Sequence, residues 1–183
     1  MADINLYKTW QRPSMVIFSA SAPVVVTAST GLWTMLGTAG TDYIFLTDDN
    51  RSDMDISVDR IENKKRMING TMRSYHVADK SSFSFTYTDI PSQNTYISEV
   101  GNPSAADAVF AGGAKILDWY RANQDSFWML LVYDTPSPQG SGSIPVKYKV
   151  EKYNVFFDSF NFNVKKRALD HDLWDISISL VEV

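Results

Sequence analysis

The chain has 183 residues, of which 44% are hydrophobic and 21% are charged, a composition typical of one globular domain. Its formal charge of -4 argues against a general nucleic-acid binder, which carries a basic excess. Cysteine is absent, which excludes disulfides, thiolate metal sites and cysteine nucleophiles. No apolar run approaches the roughly 20 residues of a membrane-spanning helix, so we expect no contact with a membrane.

Three segments alternate apolar and polar residues with the period of two that marks half-buried β-strands. Their apolar positions are Met54, Ile56 and Val58, then Phe83, Phe85 and Tyr87, and finally Trp174, Ile176, Ile178 and Leu180. The intervening positions are polar, which predicts one face on a core and the other on water or a partner. The polar residues of the first and third segments include Asp53, Asp55, Asp59, Asp175, Ser177 and Ser179.

Asn69-Gly70 lies between the first two strands and predicts the tip of a β-hairpin within an excursion over about residues 47–80. Charge is segregated around it, since residues 41–62 hold seven acids and two bases and residues 63–80 hold five bases and one acid. A solvated surface would explain this layout. A protruding hairpin that meets opposite charges on a neighbouring copy would also explain it, because complementary patches on one molecule favour head-to-tail association.

A helix is predicted over about residues 104–124, with Ser104 as its N-cap and apolar residues at helical spacing. Gly112-Gly113 would allow close approach of this helix to a sheet, and the alternative is a helix break there. The run FWMLLVY at residues 127–133 is apolar on both faces, which favours a central strand covered on both sides.

Two further features come from the last third of the chain. The loop at about residues 135–144 is rich in Pro, Gly and Ser, and we expect it to be exposed and mobile. The apolar positions change phase between Phe157 and Phe160, which predicts a bulge near Asp158-Ser159. The chain is therefore expected to form one domain, residues 1–183, with a mainly β, antiparallel sandwich or barrel-like fold and one flanking helix.

No pattern of catalytic residues is present, so we expect no catalytic site, no cofactor and no metal. The two histidines, His76 and His171, lack metal-ligand spacing, and there is no Gly-x-Ser-x-Gly elbow. A rival from another class is a carbohydrate-binding β-sandwich that would use Trp33, Trp119, Trp128 or Trp174 as a stacking platform.

Two stretches resemble a known family. Residues 64–75 (KKRMINGTMRSY), running into residues 80–85 (KSSFSF), are similar to the central hairpin region of the major tail proteins, or tail tube proteins, of long-tailed bacteriophages, especially those of actinobacteria. Residues 157–160 (FDSF), 165–167 (KKR) and 172–178 (DLWDISI) resemble the closing strands of the same family. Together the two stretches cover about a third of the chain.

The resemblance implies a structural protein of the virion that assembles, within the host cytoplasm, into hexameric rings stacked as a hollow tail tube. Genomic DNA would pass through the lumen without specific binding, and the other tail proteins (tape measure, terminator and distal tail) would be partners. The rival within this class is another tail component, or a tube protein of a contractile injection system, on the same sandwich.

Two sets of residues are assigned on this basis. An acidic or small polar lumen face would repel the DNA phosphates, and its candidates are Asp53, Asp55, Asp59, Asp175, Ser177 and Ser179. The hairpin is the candidate connector between rings, and its residues are Lys64, Lys65, Arg66, Asn69, Gly70 and Arg73.

Overall fold

The structure of the chain, a computed structural model, describes residues 13–25, 33–34, 37–38, 40–93, 95–96, 109–133, 149–167 and 172–183. The predicted loop at residues 135–144, the proposed N-cap Ser104 and His171 lie outside these ranges. Within them, no helix is long and apolar enough to cross a membrane.

Strands dominate the described part of the chain. They are β1 (Pro13–Ser19), β2 (Val24–Val25), β3 (Trp33–Thr34), β4 (Tyr43–Leu46), β5 (Asp55–Arg66), β6 (Met72–Pro91), β7 (Thr95–Tyr96), β8 (Val109–Phe110), β9 (Phe127–Tyr133), β10 (Lys149–Arg167) and β11 (Asp172–Glu182). One helix, α1 (Gly113–Ala122), lies between β8 and β9. The predicted mainly β class with one flanking helix is confirmed.

Nine of these strands form one sheet in the order β5-β6-β11-β10-β9-β1-β4-β8-β7, and β2 pairs with β3 separately. All pairs in the large sheet are antiparallel except β4 with β8. Strand β9 is fifth in this order, and six of its seven residues are buried. The apolar run at residues 127–133 therefore forms a central strand, as its sequence predicted.

The large sheet curls until its distant strands meet, which gives the fold its barrel-like character. Strands β6 and β4 are second and seventh in the order, yet the Tyr87 hydroxyl on β6 donates a hydrogen bond to the carbonyl of Thr47, just after β4, at 3.0 Å. The start of α1 is tied to the same region, since the Ala114 amide donates to the Ser92 carbonyl at 3.1 Å.

The core fills the inside of this curled sheet, where the helix also packs. Aromatic side chains meet there edge to face, for example Phe18 and Phe127 with ring centroids 5.0 Å apart, a geometry that aromatic pairs prefer. Fully buried side chains come from strands across the sheet, and they include Phe83, Tyr87, Leu46, Met129, Leu131, Ile176, Ile178 and Leu180. The alternation predicted for β6 and β11 is confirmed at these positions.

The helix prediction was wrong at its start. Val109 and Phe110 form strand β8, and the helix begins only at Gly113. Phe110 pairs with β4 and β7, and Gly112 is extended at φ -79° and ψ 175°, so the chain there is strand and not helix. A Cβ on Gly112 would lie 2.1 Å from the Gln93 carbonyl oxygen, and one on Gly113 would lie 3.1 Å from the Trp174 ring. The glycine pair therefore serves the predicted close approach to the sheet, and the helix starts at this pair instead of running through it.

Two local predictions are confirmed. The register of β10 against β11 shifts between Phe157 and Ser159, where the phase of the apolar positions changes in the sequence. The hairpin between β5 and β6 turns at Asn69-Gly70, with Gly70 at φ 83° and the Met67 amide bonded to the Thr71 carbonyl at 2.8 Å. A positive φ is the reason why glycine suits this position.

Candidate functional site

A row of small polar side chains crosses the outer face of four neighbouring strands. The register places Asp55 on β5 opposite Ser84 on β6, Ser84 opposite Ser179 on β11, and Ser179 opposite Ser159 on β10. In the next row the Thr86 and Ser177 hydroxyls lie 3.3 Å apart. We call this surface the polar face; it lies on the side of the sheet opposite the core, because its residues alternate with buried ones.

A shallow groove of about 250 Å³ runs along the polar face beside β5. It brings together four of the six residues predicted for a lumen face, which are Asp53, Asp55, Ser177 and Ser179. All of its hydrogen-bonding side chains are carboxylates or hydroxyls. The groove therefore offers a surface that is acidic or neutral and lacks a cationic side chain.

The other two predicted residues lie elsewhere. Asp59 is farther out on β5, opposite Lys80. Asp175 lies at a register shift in β11, where its carboxylate accepts a hydrogen bond from the Asp89 amide at 3.0 Å. The ammonium of Lys165 lies 3.1 Å from Asp89 and 3.8 Å from Asp175, and the hydrogen bond to Asp89 raises the pKa of Lys165. Asp175 is thus part of an ion-paired cluster outside the groove.

The β5–β6 hairpin extends well beyond the sheet. Strand β11 pairs with β6 only from Ser82 onward, so residues 58–81 form a ribbon of two strands, which we call the arm. The premise that Ile56 and Val58 point into the core was wrong, because their side chains are 39% and 59% exposed. Of that predicted apolar face, Met54 packs against the core, and no other described strand or helix covers Ile56 and Val58.

All six predicted connector residues lie in the outer half of the arm, and all are exposed. They are Lys64, Lys65, Arg66, Asn69, Gly70 and Arg73. Residues 63–75 contain four Lys or Arg residues and no Asp or Glu. The arm therefore ends in a basic tip, with the Ile68 side chain fully exposed at its turn.

The two faces of the arm differ in their charge pairing. On one face Glu62 lies 2.5 Å from the ammonium of Lys64 and 3.4 Å from the guanidinium of Arg60. The hydrogen bond from Lys64, followed by that from Ser74, lowers the pKa of Glu62. His76 bonds to Asp79 on the same face at 2.8 Å. Most of the charges on this face are thus paired within the arm, with Arg66 as the exception.

The opposite face of the arm is apolar and basic. Ile61 and Tyr75 are 48% and 54% exposed there, and Lys65 lies directly opposite Arg73. Like charges directly opposite each other in a sheet destabilise the pair. Neither cation has an ion-pair partner in the part of the chain that the structure describes.

A buried charge anchors the base of the arm, and no sequence pattern predicts it. The side chain of Arg51 is buried, and its guanidinium lies 2.6 Å from the carboxylate of Asp48. The backbone of Arg51 also forms an isolated antiparallel β-bridge with Tyr87 on β6. Burial raises the pKa of Tyr87 despite the opposing effect of the Arg51 charge. This cluster joins the segment before β5 to the body of the sheet.

Three of the four tryptophans proposed as a sugar platform do not share one open surface, and the side chain of Trp33 lies outside the described part of the structure. Trp119 is buried against the core, Trp128 carries the ammonium of Lys152 at 4.8 Å from its ring centroid, and Trp174 stacks on Phe162 at 5.3 Å. Within the described residues no group of three or more His, Cys, Asp or Glu side chains is placed to hold a metal ion.

No protein-family model matches this chain, and no curated protein matches it either.

Proposed function

We propose that this chain is a structural subunit of a bacteriophage tail tube, which assembles from identical copies into stacked rings that conduct DNA. The arm carries this proposal. A two-stranded ribbon is marginally stable by itself in water, yet this one extends through residues 58–81 and exposes Ile61, Tyr75, Val77 and Met72. Such a ribbon gains its missing contacts when it packs on another subunit.

The polar face suits the wall of a DNA channel. Serine, threonine and aspartate side chains present no cation to the phosphates, so a duplex would slide past them without the charge pairing that dominates protein–DNA affinity. In this proposal Ser177, Ser179 and their neighbours on β6 line the lumen. The polar face would then join the polar faces of neighbouring subunits edge to edge around the ring.

Negative-stain microscopy of the full chain, combined with its mass in solution, tests the proposal. We expect tubes or stacked rings from the wild type. A variant in which Asn-Gly replaces residues 62–77 joins Ile61 to its cross-strand partner Ala78. The rest of the domain should keep its melting temperature, and long tubes should no longer form. Tubes of unchanged length from this variant would show that the arm is not the connector.

The same measurement separates the rival proposals. Single rings that never stack would favour a tail-completion or hub component. A wild type that stays monomeric at high concentration would contradict a tube subunit, and glycan binding by that monomer would favour the carbohydrate-binding module.

A further inference from the structure

Among the described residues, no carboxylate pairs with the two cations that face each other in the basic tip of the arm. Lys65 and Arg73 face each other across the ribbon without an ion-pair partner among the described residues. Their mutual repulsion falls when an anionic surface lies against them. The opposite face has an acid, Glu62, which pairs with Lys64, whereas residues 63–75 supply no acid to the face with Lys65 and Arg73. An anionic partner therefore relieves most repulsion on the face with Lys65 and Arg73.

A complementary surface exists on the same molecule. Asp53 and Asp55 are exposed at the base of the arm and line the groove on the polar face. Strand β5 is the edge of the sheet, so the two carboxylates can be approached from its open side. The hydroxyl rows on β6 and β11 would remain uncovered. The acidic base and the basic tip lie at opposite ends of one ribbon, so they cannot meet within a subunit. They can meet between two subunits.

We propose that the tip of one subunit's arm docks on the base of the arm in the next subunit, with Lys65 and Arg73 against Asp53 and Asp55. This inference rests on the proposed function and names its axial contact. Ile61 and Tyr75 lie on the same face as the two cations and would lose part of their exposure in the contact. Contacts of this head-to-tail kind repeat without end wherever the rotation between successive subunits does not close them into a ring.

The length of the arm sets the spacing of the repeat. Asp55 and Lys65 are ten positions apart on β5, as their numbers in the strand show. A strand rises by about 3.3 Å per residue, which puts successive subunits roughly 30–40 Å apart along the arm. The axial repeat of tubes in electron micrographs should fall in this range.

Charge reversal in two complementary variants tests the contact. The tip variant is Lys65→Glu with Arg73→Glu, and the base variant is Asp53→Lys with Asp55→Lys. In either variant alone the tip and the base carry the same sign, so the critical concentration for tube formation should rise at least about tenfold. An equimolar mixture restores opposite charges at every contact, and we expect tubes to return. Lys166→Glu with Arg167→Glu, two exposed cations outside the arm, is the matched control and should assemble normally.

Each outcome distinguishes the contact from the proposed function. If the wild type forms tubes and either variant alone does so at the same concentration, the contact is refuted and the proposed function stands. Loss of tubes in both variants without recovery in the mixture also refutes the pairing of these two surfaces. If the wild type never assembles, the proposed function itself is refuted. If a 30-base-pair duplex binds the wild type but not the tip variant, while tubes are unaffected, the tip serves nucleic acid and the docking contact is wrong.

Discussion

Replacing Gly112 by alanine should destabilise the whole domain, because Gly112 lies where the end of β6 meets the start of α1. An added Cβ would lie 2.1 Å from the carbonyl oxygen of Gln93 and 2.8 Å from that of Pro91. Both are backbone atoms, so the strand or the helix must move. Overpacking of this kind typically costs about 1–3 kcal/mol, and we place Gly112→Ala at the upper end, about 2–3 kcal/mol. In a domain of this size each kcal/mol lowers Tm by about 2–4 °C.

Thermal unfolding followed by circular dichroism measures this effect, with Gly113→Ala as the matched control. At Gly113 the added Cβ would meet the side chain of Trp174 at 3.1 Å, and a ring at the end of a side chain can shift. Alanine also gains up to about 1 kcal/mol of helix propensity over glycine, which offsets the crowding. We expect a fall in Tm of about 4–12 °C for Gly112→Ala and a much smaller change for Gly113→Ala. Equal melting temperatures for Gly112→Ala and the wild type would refute the packing argument.

Three further predictions concern the arm and the closure of the sheet. Lys64 holds the pKa of Glu62 below its ordinary value of 4.5, so this pairing stabilises the arm above that pH and is lost as the pH falls through the lowered pKa; the protection factors of the arm amides, corrected for the intrinsic exchange rate at each pH, should fall there, and Glu62→Gln should remove this acid step. Tyr87→Phe deletes the hydrogen bond to the Thr47 carbonyl and should cost about 1 kcal/mol in a denaturant titration; no change would mean that this bond does not hold the curled sheet. Gly70→Ala meets no atom within 4 Å, but φ there is +83°, so we expect a frayed turn in NMR spectra, with no change in the Tm of the body.

The sequence predicts those local features of the fold that depend on backbone conformation and on the alternation of side chains. Asn69-Gly70 marks its turn because glycine tolerates positive φ, and the phase change before Phe160 marks its bulge because side chains alternate strictly along a strand. Neither inference depends on what lies elsewhere in the fold. The same holds for β9, whose unbroken apolar run requires cover on both faces.

Features that depend on distant parts of the chain were not readable. Ile56 and Val58 alternate with polar residues as buried positions do, but alternation only says which side chains share a face and not whether another layer covers that face. The burial of Arg51 depends on the distant contact between its segment and Tyr87. Val109 has a helical pattern around it, yet it pairs with Tyr96 on β7, and the chain becomes helical only after the extended Gly112. These outcomes are set by tertiary packing.

The polar face and the arm make the most sense when they are considered together. In an isolated subunit the arm lacks contacts that another subunit could supply. The ribbon exposes Ile61 and Tyr75, and its tip places Lys65 directly opposite Arg73. Natural proteins protect an edge strand with charged side chains, by shortening it or by covering it; β5 carries charged residues, but it continues for 12 residues. A long exposed edge strand lowers the stability of the isolated subunit. It therefore favours a chain whose edge strands are covered by other copies of the same chain. Hydrogen exchange should therefore be fast in the arm of the dilute protein and slow in the assembled one, and equal rates in the two states would refute this view.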